Sequence, residues 1–160
     1  MSGYIYNQNS SEVSRYRFGF FSSSHNGCGW IATYNALIML GDPQDPYKII
    51  SYYERRGALF CGAAGIFPTA VAGYFKSQGY SVKVTTRTSM FNSIAKKSSA
   101  NVLFYFDGLS GHNIALRWNG KEFIGYNTFA DSSGVDSLGA SIQAFLKKHG
   151  FWGAVLTSIE

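Results

Sequence analysis

His112 and Asn127 flank an Asn119-Gly120 dipeptide, and their types and spacing suit a general base held by an amide. Asn-Gly is the strongest short-range signal for a two-residue type I′ turn, because both central positions of that turn need positive φ. With this turn, His112 lies directly opposite Asn127, and Arg117 lies opposite Glu122 as an attractive pair. Opposed β-carbons are about 4.5–5.5 Å apart, so the Asn127 amide oxygen can accept the proton on one imidazole nitrogen. The other nitrogen is then free to act as a base.

Cys28 supplies the matching nucleophile. Apolar residues at three- and four-residue spacing predict a helix over residues 28–40, which Gly41-Asp42-Pro43 ends. A polar loop precedes this helix, with Asn26 or Gly27 near its cap. Cys28 therefore lies in the first turn, where free backbone N–H groups and the positive end of the helix dipole favour a thiolate. The same N–H groups are placed to stabilise the oxyanion that forms when the sulfur attacks a carbonyl.

Three segments that carry these residues resemble the motifs of papain-like cysteine peptidases. They are Asn-Gly-Cys-Gly-Trp-Ile-Ala around Cys28, Ser-Gly-His-Asn-Ile-Ala-Leu around His112, and Gly-Tyr-Asn-Thr around Asn127. Within that superfamily its motifs most resemble those of the compact bacterial bacteriocin-leader (double-glycine) peptidase domains. The stretch 59–68, followed by an apolar helix that ends in Gln-Gly-Tyr, is similar to a connection common in those domains. The resemblance implies a catalytic Cys28–His112–Asn127 triad, a papain-like α+β fold and a peptide or protein substrate.

The loop before Cys28 departs from the pattern of that family. Relatives place a Gln six positions before the nucleophile, where its amide completes the oxyanion hole, whereas this chain has Ser22 there. We expect Asn26 or Ser22 to supply the side-chain donor instead. Losing one oxyanion donor lowers turnover about 100- to 1000-fold. The alternative function is therefore that of a catalytically inactive member of the fold, which only binds peptides.

Several other residues are candidates for the site. Trp30 and Tyr126 lie next to the motifs and are expected to shape the cleft, and His25 is expected to contact substrate. Asp107 or Asp131 could replace Asn127 as the group that orients the imidazole, since either could lie at a strand end near the site.

The rest of the pattern predicts an α+β fold. Helices come first and antiparallel strands dominate the second half, so a helical layer carrying Cys28 should pack on an antiparallel sheet carrying His112 and Asn127. The site should lie in the cleft between these layers. We predict a polar N-terminal arm over residues 1–18 and a single domain over residues 19–160. The other predicted elements are a strand over 15–21, helices over Pro46–Arg56, 68–78, 89–97 and 138–149, and strands over 80–85, 101–106 and 152–158.

Composition and charge argue against several other classes. The net charge of +5 comes from 14 basic and 9 acidic residues without a dense basic stripe, so no nucleic-acid partner is expected. No apolar run approaches a membrane span, and residues 1–17 lack the apolar stretch of a secretory signal, which predicts a cytoplasmic protein or a processed or excised domain. The separation of Cys28 and Cys61 matches no metal-ligand spacing, and Cys61 is expected to pack as a small apolar residue. No metal or organic cofactor is expected, and the sequence leaves the oligomeric state open.

The function predicted by these residues is that of a cysteine-nucleophile hydrolase, a peptidase that cleaves a peptide or leader sequence. The same triad also serves acyltransferases and amide or peptidoglycan hydrolases, which the residues do not separate from proteolysis.

Overall fold

The core of the fold is a six-stranded antiparallel sheet. The computed structural model describes residues 3–129 and 132–160. Two short strands, β1 (Arg17–Phe18) and β2 (Phe21–Ser22), form a separate hairpin. The sheet contains β3 (Val82–Thr85), β4 (Ala100–Phe106), β5 (Gly111–Trp118), β6 (Phe123–Tyr126), β7 (Asp136–Gly139) and β8 (Gly153–Ile159). Their order is β3-β8-β4-β5-β6-β7, so β4 and β5 lie in the middle.

Helices cover both faces of this sheet. In the described parts of the chain they are α1 (Ser11–Ser14), α2 (Ser23–Asn26), α3 (Cys28–Met39), α4 (Pro46–Arg56), α5 (Ala70–Ser77), α6 (Phe91–Ala95) and α7 (Ile142–Lys148). Along β5, Ala115 packs with the cluster of α3, α4 and α5, whereas Ile114 and Leu116 pack with the cluster of α6 and α7. This follows from the alternation of side chains along a strand. None of the helices described is long and apolar enough to cross a membrane.

Helix α3, which carries Cys28, is the central element of the helical layer. Its residues 28–37 are all buried, and it packs against β4 and β5. The predicted helix over residues 28–40 is confirmed, as is α4 with its Asp45 cap, whose side chain accepts the N–H of Tyr47 at 2.9 Å. The predicted α+β architecture, with a helical layer on an antiparallel sheet, is confirmed as well.

The predicted two-residue turn at Asn119-Gly120 is wrong. β5 and β6 are joined by four residues, and Trp118 pairs with Phe123 rather than with Lys121. The Asn119 side chain explains the longer loop, because its Oδ1 accepts the N–H groups of Lys121 and Glu122, each at 2.9 Å. Of the two central positions only Gly120 has positive φ, whereas a type I′ turn needs both. Arg117 therefore pairs with Ile124, and β6 ends at Tyr126 before it reaches a position opposite His112.

Two further expectations also differ from the structure. The helix predicted over 138–149 is shorter, because Leu138 belongs to the edge strand β7 and the Ser141 side chain caps α7 by accepting the N–H of Ala144 at 3.3 Å. Cys61 is exposed rather than packed, and its φ of 55° places it in the left-handed region. Both cysteines are free thiols.

The N-terminal arm lies on the body of the protein. Ile5 is 6% exposed and Val13 is fully buried, and both belong to the core cluster around α3. Asn35 on α3 holds the arm on both sides of Ile5, since its Oδ1 accepts the Ile5 N–H at 2.9 Å and its Nδ2 donates to the Ile5 carbonyl at 2.8 Å. These two hydrogen bonds fix the arm against α3 at Ile5.

Candidate active site

Cys28 is the first residue of α3, and Gly27 separates this helix from α2. The first hydrogen bond of α3 runs from the Ile31 N–H to the Gly27 carbonyl at 3.0 Å, so the Cys28 N–H has no partner within its own helix. The residue is 9% exposed. The thiol therefore lies at the positive end of a twelve-residue helix, where a thiolate is favoured over a thiol.

His112 lies beside Cys28 at the start of β5. Its Nε2 is 2.8 Å from the main-chain oxygen of Asn127, to which it donates when protonated, and this leaves Nδ1 for the thiol. Burial favours the neutral ring, but the hydrogen bond and charge attraction from Cys28, with the Asn127 carbonyl, outweigh it and raise the pKa of His112. Burial also opposes ionisation of Cys28, but the hydrogen bond and charge of His112, with hydrogen bonds from Asn113, lower the pKa of that thiol. The two shifts together favour a thiolate–imidazolium pair.

Asn127 contacts His112 through its main chain rather than through its side chain. Its φ of 58° is left-handed, which turns its carbonyl toward the imidazole. The side-chain Oδ1 instead accepts the N–H of Gln8 at 2.7 Å, and the side chain is 1% exposed. The expected amide–imidazole contact is absent because β5 and β6 pair in a different register from the predicted one.

Asn113 is a site residue that the sequence analysis missed. It is 2% exposed, and its Nδ2 lies 3.7 Å from the Cys28 sulfur. Side chains alternate along β5, so Asn113 shares the helix-facing side of the strand with Ala115. The alternation pattern, read from Ala115 back to the start of the strand, is the signal that could have identified this residue.

Two cavities flank the Cys28–His112 pair. One, of about 500 Å³, contains Cys28 and runs between loop 59–68 and the β4–β5 hairpin, with walls that include Leu59, Ile66, Phe104 and Phe106. His25 is exposed and lines this cavity, and its contact with substrate stays a prediction. The other, of about 410 Å³, contains His112.

Buried polar atoms without a hydrogen-bond partner in the protein are concentrated at this site. Among the described residues there are five such atoms: Gln8 Oε1, Asn26 Oδ1, Asn113 Oδ1, Asn127 Nδ2 and Thr128 Oγ1. Every one belongs to a residue that lines one of the two cavities. Such atoms destabilise a fold by about 1–3 kcal/mol each, so their clustering is typical of a site shaped for chemistry rather than for stability.

The aromatic candidates Trp30 and Tyr126 lie in the core rather than in the cleft. Trp30 is 1% exposed, and its indole N–H donates to the Ser23 hydroxyl at 3.0 Å. Tyr126 is 2% exposed, and its ring contacts the rings of Tyr4 and Tyr6 of the arm. Neither side chain reaches the surface of the cavities, because the arm and α2 cover them.

Asp107 does not orient the imidazole. Its Oδ1 accepts the N–H groups of Leu109 at 2.9 Å and Ser110 at 2.7 Å, which closes the turn between β4 and β5. These backbone hydrogen bonds lower the pKa of its carboxyl group. Asp131, the other alternative, lies outside the described residues.

Two of the solved structures that match this chain are the following. One is the peptidase domain of Streptococcus ComA, a bifunctional ABC transporter involved in quorum sensing, with a TM-score of 0.61 and 9% identity over 98% of each chain. The other is the Pseudomonas avirulence protein AvrPphB, with a TM-score of 0.45 and 14% identity over 82% of this chain and 89% of that one. No protein-family model matches the chain, and no curated protein sequence matches it either.

The chain has a papain-like cysteine peptidase fold. The helical layer with Cys28 at a helix start and the antiparallel sheet with His112 at a strand start are the two layers that the resemblance implied. Identity at this level carries the fold alone, so the roles of individual residues rest on the geometry above.

Within this papain-like fold the two expected side-chain oxyanion donors are engaged elsewhere. Asn26 Nδ2 donates to the Phe18 carbonyl at 3.0 Å and to the Gly62 carbonyl at 2.6 Å, which uses both of its hydrogens. The second of these bonds joins loop 59–68 to α2, the helix that directly precedes α3 and Cys28. The Ser22 hydroxyl donates to the Ser14 carbonyl at 3.1 Å and caps α2. The Cys28 N–H, which has no partner within α3, is a backbone donor at this position.

Proposed function

We propose that the protein is a cysteine peptidase in which Cys28 is the nucleophile and His112 the general acid and base. The observation that carries this proposal is the pairing of Cys28, at the start of a buried helix, with an imidazole whose far nitrogen bonds the Asn127 carbonyl. The opposite pKa shifts of the two groups, downward for Cys28 and upward for His112, support the same assignment.

The first half of the reaction is acylation. The Cys28 thiolate forms a bond to the carbonyl carbon of the scissile peptide, and the Cys28 N–H stabilises the oxyanion that results. The imidazolium of His112 then gives its proton to the leaving nitrogen as the carbon–nitrogen bond breaks. An amine leaves, and a thioester on Cys28 remains.

The second half is hydrolysis of that thioester. Neutral His112 removes a proton from water, the hydroxide oxygen bonds to the acyl carbon, and the carbon–sulfur bond breaks. A carboxylic acid leaves, and the thiolate–imidazolium pair is restored. Asn127 takes part through its main-chain carbonyl, which holds the ring so that Nδ1 faces the sulfur.

The thiolate–imidazolium pair can be tested by alkylation with iodoacetamide across a range of pH. Peptide mass spectrometry would give the rate at Cys28, and a Cys61→Ser background would remove the exposed second thiol. We expect Cys28 to react well below pH ~8.5, the pKa of a free thiol, and His112→Ala to abolish that reactivity. A Cys28 that titrates like a free thiol in both proteins would contradict the proposal.

Peptidase activity needs a separate measurement. A library of peptides from a cell digest would be incubated with wild-type protein and with Cys28→Ala, and new termini would be identified by mass spectrometry. We expect new termini with the wild type alone. Reactive Cys28 without any new termini would favour acyl transfer to another acceptor, which adding hydroxylamine or a primary amine to the reaction would reveal.

A further inference from the structure

Gln8 of the N-terminal arm lies between the two halves of the site. It lines the cavity that contains His112, and its buried Oε1 has no hydrogen-bond partner among the described residues. Its main-chain N–H and its side-chain Nε2 both donate hydrogen bonds, the first to Asn127 and the second to Ser24. A residue that leaves one buried polar atom unpaired is poorly explained by stability alone.

The main-chain N–H of Gln8 reaches the histidine side of the site. It donates to Asn127 Oδ1 at 2.7 Å, and the main-chain oxygen of the same Asn127 lies 2.8 Å from His112 Nε2. Asn127 holds a left-handed φ of 58°, which is uncommon outside glycine. The bond from Gln8 fastens the side chain of a residue whose carbonyl must keep this unusual direction.

The side-chain amide of Gln8 reaches the cysteine side. Its Nε2 donates to the Ser24 carbonyl at 3.0 Å. In a continuous helix that carbonyl would accept the N–H of Cys28, four residues further along the chain. With the helix broken at Gly27 and the Ser24 carbonyl bonded to Gln8, the Cys28 N–H stays at the first turn of α3 as an oxyanion donor.

We propose that Gln8 is a positioning residue that joins the arm to both catalytic partners, through Asn127 to His112 and through Ser24 to the N–H of Cys28. This inference rests on the proposed function, because it assigns a role in acyl transfer at Cys28. It makes the N-terminal arm a part of the active site and not only of the core. It also explains how the site can dispense with Asn26 and Ser22 as donors.

Two probes separate the two connections. Iodoacetamide reacts with the thiolate by displacement of iodide and forms no oxyanion. p-Nitrophenyl acetate acylates the same sulfur through a tetrahedral oxyanion, after which the carbon–oxygen bond breaks and p-nitrophenolate leaves with the electron pair. A residue that keeps the Cys28 N–H available should therefore affect acylation more than alkylation.

The variants are made in full-length Cys61→Ser protein. Gln8→Ala removes the side-chain amide and keeps the main-chain N–H, whereas Gln8→Pro removes both. Gln143→Ala, at an exposed position on α7, is the matched control. Thermal melting of each variant reports any change in folding.

We expect Gln8→Ala to lower the rate of acylation about tenfold, which is less than the roughly 100-fold or greater effect of deleting an oxyanion donor itself. Its alkylation rate should stay within about twofold of the parent, since one neutral hydrogen bond away from the sulfur is lost. Gln8→Pro should in addition slow alkylation at pH 6 about threefold relative to Gln8→Ala. Gln143→Ala should match the parent in both reactions.

Two results would overturn the proposal while the proposed function survives. In the first, both rates in Gln8→Ala equal those of the parent. In the second, both rates fall by the same factor together with the melting temperature, which is the behaviour of a merely structural residue. If the parent shows no His112-dependent alkylation at all, the proposed function fails first, and the inference fails with it.

Discussion

Replacing Asn127 with glycine separates what its main chain does from what its side chain does. Only the carbonyl of Asn127 contacts the imidazole, at 2.8 Å, and glycine adopts a φ of 58° without steric strain. Asn127→Gly should therefore keep the contact that holds His112. If the side-chain amide of Asn127 oriented the imidazole instead, this variant would lose that contact completely.

The effect on stability follows from the bonds that the side chain makes. Asn127→Gly leaves the Gln8 N–H without its acceptor, which destabilises the fold by about 1–3 kcal/mol. It also deletes the buried Nδ2, which has no hydrogen-bond partner in residues 3–129 and 132–160, and this offsets part of that loss. We expect a net decrease of about 1–2 kcal/mol in the free energy of unfolding. Asn127→Ala should be less stable by about 1 kcal/mol more, because a β-carbon is strained in the left-handed region.

Urea unfolding and iodoacetamide alkylation at pH 6 would measure the two effects in the same proteins. We expect alkylation of Cys28 in Asn127→Gly to stay within about fivefold of the wild type, since one hydrogen bond removed from His112 is lost. A loss of about 100-fold in a variant that remains folded would refute this reasoning, because it would assign the orienting role to the side-chain amide. Equal stability of the glycine and alanine variants would refute the assigned backbone strain.

Three other perturbations follow from the same geometry. Asn113→Leu should slow alkylation of Cys28 at pH 6 several-fold, because the pKa of the thiol rises, while the urea midpoint stays equal or increases since an unpaired buried oxygen is removed. Peptide hydrolysis should rise with pH through the lowered pKa of Cys28 and fall through the raised pKa of His112, whereas alkylation should stay high at the upper end; a fall in both would contradict the assigned acid. Gly29→Ala should destabilise the protein by about 1–3 kcal/mol in urea unfolding, because its β-carbon would lie 2.4 Å from the Ile66 side chain; an unchanged midpoint would show that loop 59–68 yields.

Local sequence rules were sufficient to predict the elements that carry Cys28 and His112. The spacing of apolar residues and the Gly-Asp-Pro stop predicted α3, and Cys28 does lie in its first turn. Such features depend on neighbouring residues along the chain, so short-range reasoning reaches them. The strand that begins one residue before His112 could be predicted for the same reason.

The hairpin between β5 and β6 is an element for which local sequence rules predicted the wrong turn and register. Asn-Gly favours a two-residue turn, but the Asn119 side chain bonds two N–H groups of a longer loop, and the register of the sheet accommodates it. A shift of register changes every cross-strand partner at once. The expected contact between the Asn127 amide and His112 was therefore replaced by a main-chain contact.

The sequence by itself determined that Cys28 lies at a helix start, that His112 lies at a strand start and that the fold is α+β. Only the tertiary structure placed Asn113 against the sulfur and Gln8 between Asn127 and Ser24. Those contacts join residues far apart in the chain, and nothing in the local pattern of either partner encodes them. They arise from how the arm, the helix and the sheet pack, which is decided by burial over the whole chain rather than by the residues of one segment.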